Sequence, residues 1–306
     1  TPGKFNSNHL YLKDIVATLS LKALNNDSIN ASIKRMSLEE EESGFNLKKL
    51  SLKIIGNQRG MRIENFGIEL PHTALMMDTL LMEYDSLGAF SRFAYDVPFR
   101  FRMLPSRLTP SDLSAFVPAL KGFNEPLQLE AEAEGPLNQL NCPLLRIDAN
   151  QHFRLQGDLS LQDFTSPEDA FIYGHLSQLY ADAQGVAFLV RNLNPLHPEV
   201  PPVLQQMGNI SFRGEVSGYF SDLVMYGRVH SDLGDLQTDM KVSSNKEQQL
   251  FAYSGSIKTN EWNLQQMLND KKLGHVTFNL SVNGCHKANS NPDIEFKGDI
   301  KQIDYN

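Results

Sequence analysis

"HVTFNLSVNG", residues 275–284, sets Val276, Phe278, Leu280 and Val282 against Thr277, Asn279, Ser281 and Asn283. Side chains on a strand point alternately to opposite sides, so this spacing predicts a strand with one apolar and one polar face. The same alternation runs through 15–21, 50–54, 99–103, 127–133, 153–161, 210–216 and 236–242. Half-solvated alternation belongs to antiparallel sheets, because parallel sheets covered on both faces read as continuous apolar runs. The expected fold class is therefore mainly β, an antiparallel sheet with a few short helices capping it or packing on it.

Four segments break the rhythm and are expected to be helical, near 109–121, 166–184, 200–208 and 260–270. In the first, Thr109 is the expected N-cap and Pro110 the first helical residue, with Leu113, Phe116, Val117 and Leu120 on one stripe. In the second, Ser166 caps, Pro167 starts, and Ile172, Leu176, Leu179, Tyr180 and Ala183 form an amphipathic face that Gly185 ends. "ALMMDTLLMEY" (74–84) is interrupted by Asp78 and reads as strand rather than as a membrane span.

A second pattern is laid over the first. An apolar residue two before a Gly and another two after it recur in "LQGDL" (155–159), "FRGEV" (212–216), "MYGRV" (225–229), "YSGSI" (253–257) and "FKGDI" (296–300). Gly weakens a strand interior, so its repeated use needs a reason. Bending of the sheet is the favoured reason, which makes Gly214, Gly227, Gly255 and Gly298 sheet-bending positions. The competing reason is close packing of a side chain or helix over the sheet. The intervals between these glycines are irregular, so the chain is a meander and not a solenoid.

Composition narrows the function classes. The 306 residues carry a net charge of −8 and show no basic stripe, which argues against a nucleic-acid partner. Two cysteines, Cys142 and Cys285, are too few for a disulfide scaffold and could pair or stay reduced. The eight histidines include no pair at two- or four-residue spacing, so no metal site is expected. There is no nucleophile elbow and no phosphate-binding P-loop; "GNQRGMR" (56–62) reads as a hairpin turn. The acidic run 39–42 reads as a solvated loop and strand start. No catalytic residue and no cofactor is expected, and the chain reads as a non-enzyme.

The order of "HLYLKDIVATLSLKALNNDSINASIKRMSLEEEESGFNLKKLSLKI" (9–54), with its turn at Glu41, Ser43, Gly44 and Phe45, then "IELPHTALMMD" (68–78), is distinctive. So is the later run from "GNISFRGEVSGYF" (208–220) through "FAYSGSIKTNEWNLQQMLND" (251–270) to "IEFKGDIKQIDYN" (294–306). Together they resemble the translocation-and-assembly-module (TamB-like) branch of the AsmA-like superfamily, the repeating β-groove bridge proteins of Gram-negative envelopes. The resemblance implies a curled sheet forming an open apolar groove, within a periplasmic protein anchored in the inner membrane. It implies phospholipid or another acyl-chain lipid as partner, carried between inner and outer membranes, and outer-membrane assembly proteins as further partners. It brings no catalytic residues with it.

On that reading 1–306 is a single excised β-groove segment of a longer protein. The candidate groove residues are Val276, Phe278, Leu280, Phe212, Val216, Met225, Met240 and Met77, methionine being suited to irregular ligands. The alternative is a β-sandwich adhesion or glycan-binding module, which needs two facing sheets and an aromatic platform. Its single tryptophan, Trp262, falls in a helix-like segment. A β-scaffold enzyme with converging carboxylates is a third reading, and an outer-membrane barrel the weakest.

Overall fold

The computed structural model describes residues 10–25, 28–116, 120–163, 169–193, 199–200, 202–219, 221–245, 250–287 and 293–305. It is mainly β: sixteen antiparallel strands in sequence order, in a sheet not closed into a barrel, with four short α-helices among the described residues. The chain divides into two compact units, Thr1–Gln151 and His152–Asn306.

The first unit contains β1 (Leu12–Leu24), β2 (Ser28–Glu40), β3 (Asn46–Asn57), β4 (Gly60–Glu69), β5 (Ala74–Glu83), α1 (Phe93–Asp96), β6 (Phe99–Leu108), β7 (Leu127–Gly135) and β8 (Gln139–Ala149). Residues 57–60 are the expected hairpin turn between β3 and β4. Alternation within each strand becomes rows across strands: Leu21, Ala31, Ile54, Ile63, Leu80, Phe101 and Ala133 are successive register partners. The other face carries cross-strand ion pairs, among them Lys53–Glu64, Arg100–Glu134 and Arg146–Glu130. At such exposure each is worth ~0–1 kcal/mol, so they favour one register more than they stabilise the fold. Met82, Tyr84 and Val97 form a small core closed by Phe90 and Phe99.

The acidic run 39–42 is not simply solvated. Glu40 is 2% exposed. Its carboxylate accepts hydrogen bonds from the backbone N–H of Tyr11, Glu42 and Ser43 and from the Ser43 hydroxyl. These donors, the Ser43 hydroxyl first, hold the Glu40 carboxyl down to about 2, from 4.5. A group whose folded pKa is depressed contributes stability above its unfolded pKa and loses it as pH falls through the folded value. Glu40→Gln is therefore expected to lower the melting temperature at pH 7 and to flatten its fall between pH 4.5 and about 2. Melting curves that keep the wild-type slope in that window would refute this role.

The second unit contains β9 (Phe153–Gln162), β10 (Phe171–Ala181), α2 (Ala183–Leu193), α3 (Pro202–Gln206), β11 (Ile210–Tyr219), β12 (Asp222–Ser231), β13 (Gly234–Asn245), β14 (Leu250–Asn263), α4 (Leu264–Leu268), β15 (Leu273–Lys287) and β16 (Asp293–Tyr305). The helix expected near 166–184 is corrected: Phe171–Ala181 is strand. A register shift between Leu176 and Leu179 puts both residues on one face at a spacing of three. A bulge thus imitates helical periodicity. Gly185 does not end a helix but lies in the first turn of α2, and Ser166 and Pro167 lie outside the described residues.

The same substitution shortens the helix expected near 260–270. A register shift between Thr259 and Trp262 keeps β14 in the sheet to Asn263, and only Leu264–Leu268 is helical. Near 109–121 the described helix is a 3-10 turn, Pro110–Leu113, entered from Thr109. The Thr109 hydroxyl donates to the His72 carbonyl instead of capping, and Val117 and Pro118 lie outside the described residues. Within 200–208, α3 forms as expected.

Candidate functional site

In the second unit the strand registers line up apolar side chains and glycines in rows that cross all eight strands. One row runs Leu159, Gly174, Val216, Met225, Met240, Gly255, Val282 and Phe296. The next runs Gly157, Leu176, Gly214, Gly227, Thr238, Ile257, Leu280 and Gly298. The opposite face of the same strands carries Arg213, Glu215, Tyr226, Arg228 and Asp239, all exposed. Seven of the eight candidate groove residues therefore fall on one face of one unit. Met77 belongs to the first unit, paired with Phe66 and Met103.

The seven are not equivalent. Val276 is buried beside Leu233 and Trp262, and Met207, Leu236, Leu264, Met267 and Phe278 pack against that cluster. The Trp262 indole N–H donates to the Met267 sulfur at 3.2 Å, tying α4 to β14. At the same end of the strands the Phe188 ring of α2 lies 6.0 Å from Phe153 of β9. Helices thus cover the Phe153–Val276 end of the face. Val216, Met225, Met240 and Leu280 lie away from that end and are half-buried.

The glycines divide by geometry. A Cβ at Gly214 would stand 2.2 Å from the Tyr226 carbonyl oxygen and 2.8 Å from the Phe212 ring. A Cβ at Gly227 would meet the Arg213 carbonyl at 2.3 Å and the same ring at 2.8 Å. This pair of facing glycines lets two backbones close together under a flat Phe212. At Gly255 and Gly298 a Cβ would crowd the Asp239 and Asn279 carbonyls in the same way, and φ is in addition +151° and +152°, a conformation that L side chains rarely adopt. There the backbone itself is turned.

Leu159, Leu176, Ile257 and Val282 belong to the same face but were not among the sequence candidates. Reading 166–184 as a helix hid Leu176, although Ile172, Gly174 and Leu176 alternate with Tyr173, His175 and Ser177. Both cysteines are free thiols, and burial raises the pKa of Cys142. Among the described residues no three His, Cys, Asp or Glu side chains converge as a metal site, and no helix is long and apolar enough to cross a membrane. Comparison with known proteins finds no matching family model, curated protein or solved structure.

Proposed function

We propose that this chain is a non-enzymatic lipid-carrying segment of a TamB-like, AsmA-like envelope bridge. Phospholipid acyl chains lie along the apolar face of its sheet on their way between inner and outer membranes, in a periplasmic protein anchored to the inner membrane. Aid to outer-membrane assembly is part of the same proposal.

The observation that carries it is a face of the second unit's sheet on which apolar side chains and glycines follow one another across eight strands, while that unit's described helices gather at one end. A sheet with a dry face normally covers it with a second layer. At about 4.8 Å per strand, a row across eight strands extends about 34 Å. That is about twice the depth of one leaflet in a hydrocarbon core of about 30 Å. Lipid tails moving from a bilayer to such a face exchange one apolar surrounding for another. They are spared exposure to water, which costs ~0.8 kcal/mol per methylene. Methionines at the middle of the row, Met225 opposite Met240, adapt to chains of varied shape.

The test is native mass spectrometry of protein purified from cells. Phospholipid adducts are expected on the wild type. Met225→Asp/Met240→Asp places two carboxylates in the row and is expected to reduce adduct occupancy at least tenfold, with the circular dichroism spectrum unchanged. A wild type without lipid, or a double variant that retains it, removes the proposal.

A further inference from the structure

On the polar face of the second unit, Arg213 of β11 stands directly opposite Arg228 of β12. Arg228 faces Gln237 of β13, and Gln237 faces Lys258 of β14. Three cations therefore share one row across four strands. Elsewhere charges meet their opposites across strands: Lys53 with Glu64, Arg102 with Glu132, Lys241 with Asp222. Like charges directly opposite one another destabilise a sheet. Among the described residues no carboxylate forms an ion pair with Arg213, Arg228 or Lys258.

The row lines an open cleft of about 830 Å³. Ser211, His230, Asn260 and Glu261 are among the residues that line it as well, the last two delivered by the bulge after Thr259. Asp235 also lines it, with a carboxylate oxygen hydrogen-bonded to His230 Nδ1. The cleft thus joins three unpaired cations to hydroxyl and amide groups, and its volume falls in the range of small-molecule sites, about 300–1,000 Å³.

We propose that this cleft binds a phosphate ester. Guanidinium groups present two parallel N–H donors that match phosphate oxygens, and two of them facing each other can share one phosphate between them. Lys258 adds a point charge along the row. A bound phosphate removes the repulsion that the fold otherwise retains. Glu261 and Asp235 on the walls oppose an extended polyanion such as a nucleic acid, as does the net charge of −8. The ester is either a lipid headgroup or a soluble phosphorylated molecule.

The inference is independent of the acyl-chain proposal, since these residues lie on the other face of the sheet from Met225 and Met240. Calorimetric titration with sn-glycerol 3-phosphate is expected to show saturable binding, weakened at least tenfold in Arg213→Gln/Arg228→Gln. Removing the repulsion is also expected to raise the ligand-free melting temperature of that variant at low salt, and the same ligand to raise that of the wild type alone. Flotation with vesicles of phosphatidylglycerol in phosphatidylcholine, against phosphatidylcholine alone, separates the sources. Binding of the anionic vesicles that the soluble ester competes away assigns a lipid headgroup. Binding of the ester without the vesicles assigns a soluble molecule. No saturable binding of the ester, or equal binding by the double variant, overturns the proposal.

Discussion

Gly227→Val is expected to destabilise the second unit's sheet severely, whereas Gly122→Ala leaves the protein nearly unchanged. At Gly227 the new Cβ meets the Arg213 carbonyl at 2.3 Å, the Gly214 Cα at 2.8 Å and the Phe212 ring at 2.8 Å. The first two are backbone atoms and cannot swing aside. Relief requires β11 and β12 to separate, which breaks ladder hydrogen bonds between the strands as well as the packing under Phe212. Overpacking alone costs about 1–3 kcal/mol, and loss of the ladder takes the expected cost to about 4 kcal/mol or more. Against a total stability of about 5–15 kcal/mol that is a large share. At Gly122 a Cβ meets nothing within 4 Å, so a change of about 0.5 kcal/mol or less is expected. Denaturant titration of the two variants is the measurement. Equal midpoints would show that the close approach of β11 and β12 is not a constraint.

Trp262→Ala is the second large effect. Trp262 is 6% exposed, packs with Leu233 and Val276, and receives Met207 and Met267 from the helical segments above it. Truncation leaves a cavity that the sheet cannot close without moving β14 against β15, and aromatic-to-alanine changes of this kind cost about 3–5 kcal/mol. For a unit of this size the expected fall in melting temperature is about 10 °C. Amides of α4 should lose hydrogen-exchange protection first, because the helix is five residues long and depends on this contact. Trp262→Phe should recover more than half of the loss. A fall of less than about 3 °C in the alanine variant would mean that the helices are not anchored through this side chain.

Much of the sheet was legible from local pattern. Every segment read as alternating, from 15–21 to 275–284, lies in a strand, and the Gly-centred stretches supplied β12, β14 and β16. The groove candidates on β11, β12, β13 and β15 share a face because each was placed by the same period of two. Two of the misread helices share a cause too. At Leu176–Leu179 and Thr259–Trp262 an inserted residue changes the spacing on one face from two to three, which is the spacing of a helix. Proline before the first of these reinforced the wrong choice. Nothing within β10 distinguishes the two conformations as strongly as the neighbours β9 and β11, which pair with it on both sides.

Glu40 illustrates the other limit. In sequence it is one of four consecutive glutamates, each free to face water. Its burial depends on Tyr11, twenty-nine residues away, and on a turn that aims the backbone N–H groups of Glu42 and Ser43 at a single carboxylate. The opposed arginines are a matter of register in the same way. Arg213 and Arg228 are unremarkable on their own strands, and they face one another because the register that pairs Tyr219 with Asp222 fixes which residue of β12 meets which residue of β11.

The sequence by itself determined that this chain is an antiparallel β protein with one oily and one charged side to its strands. That property is local: it follows from where consecutive side chains point along a single strand. Tertiary structure alone decided where bulges reset the period, which glycines lie beneath a neighbouring ring, and which charges meet. Those are properties of pairs of strands, set by hydrogen-bond register between segments that do not adjoin in the chain, and no single stretch contains them.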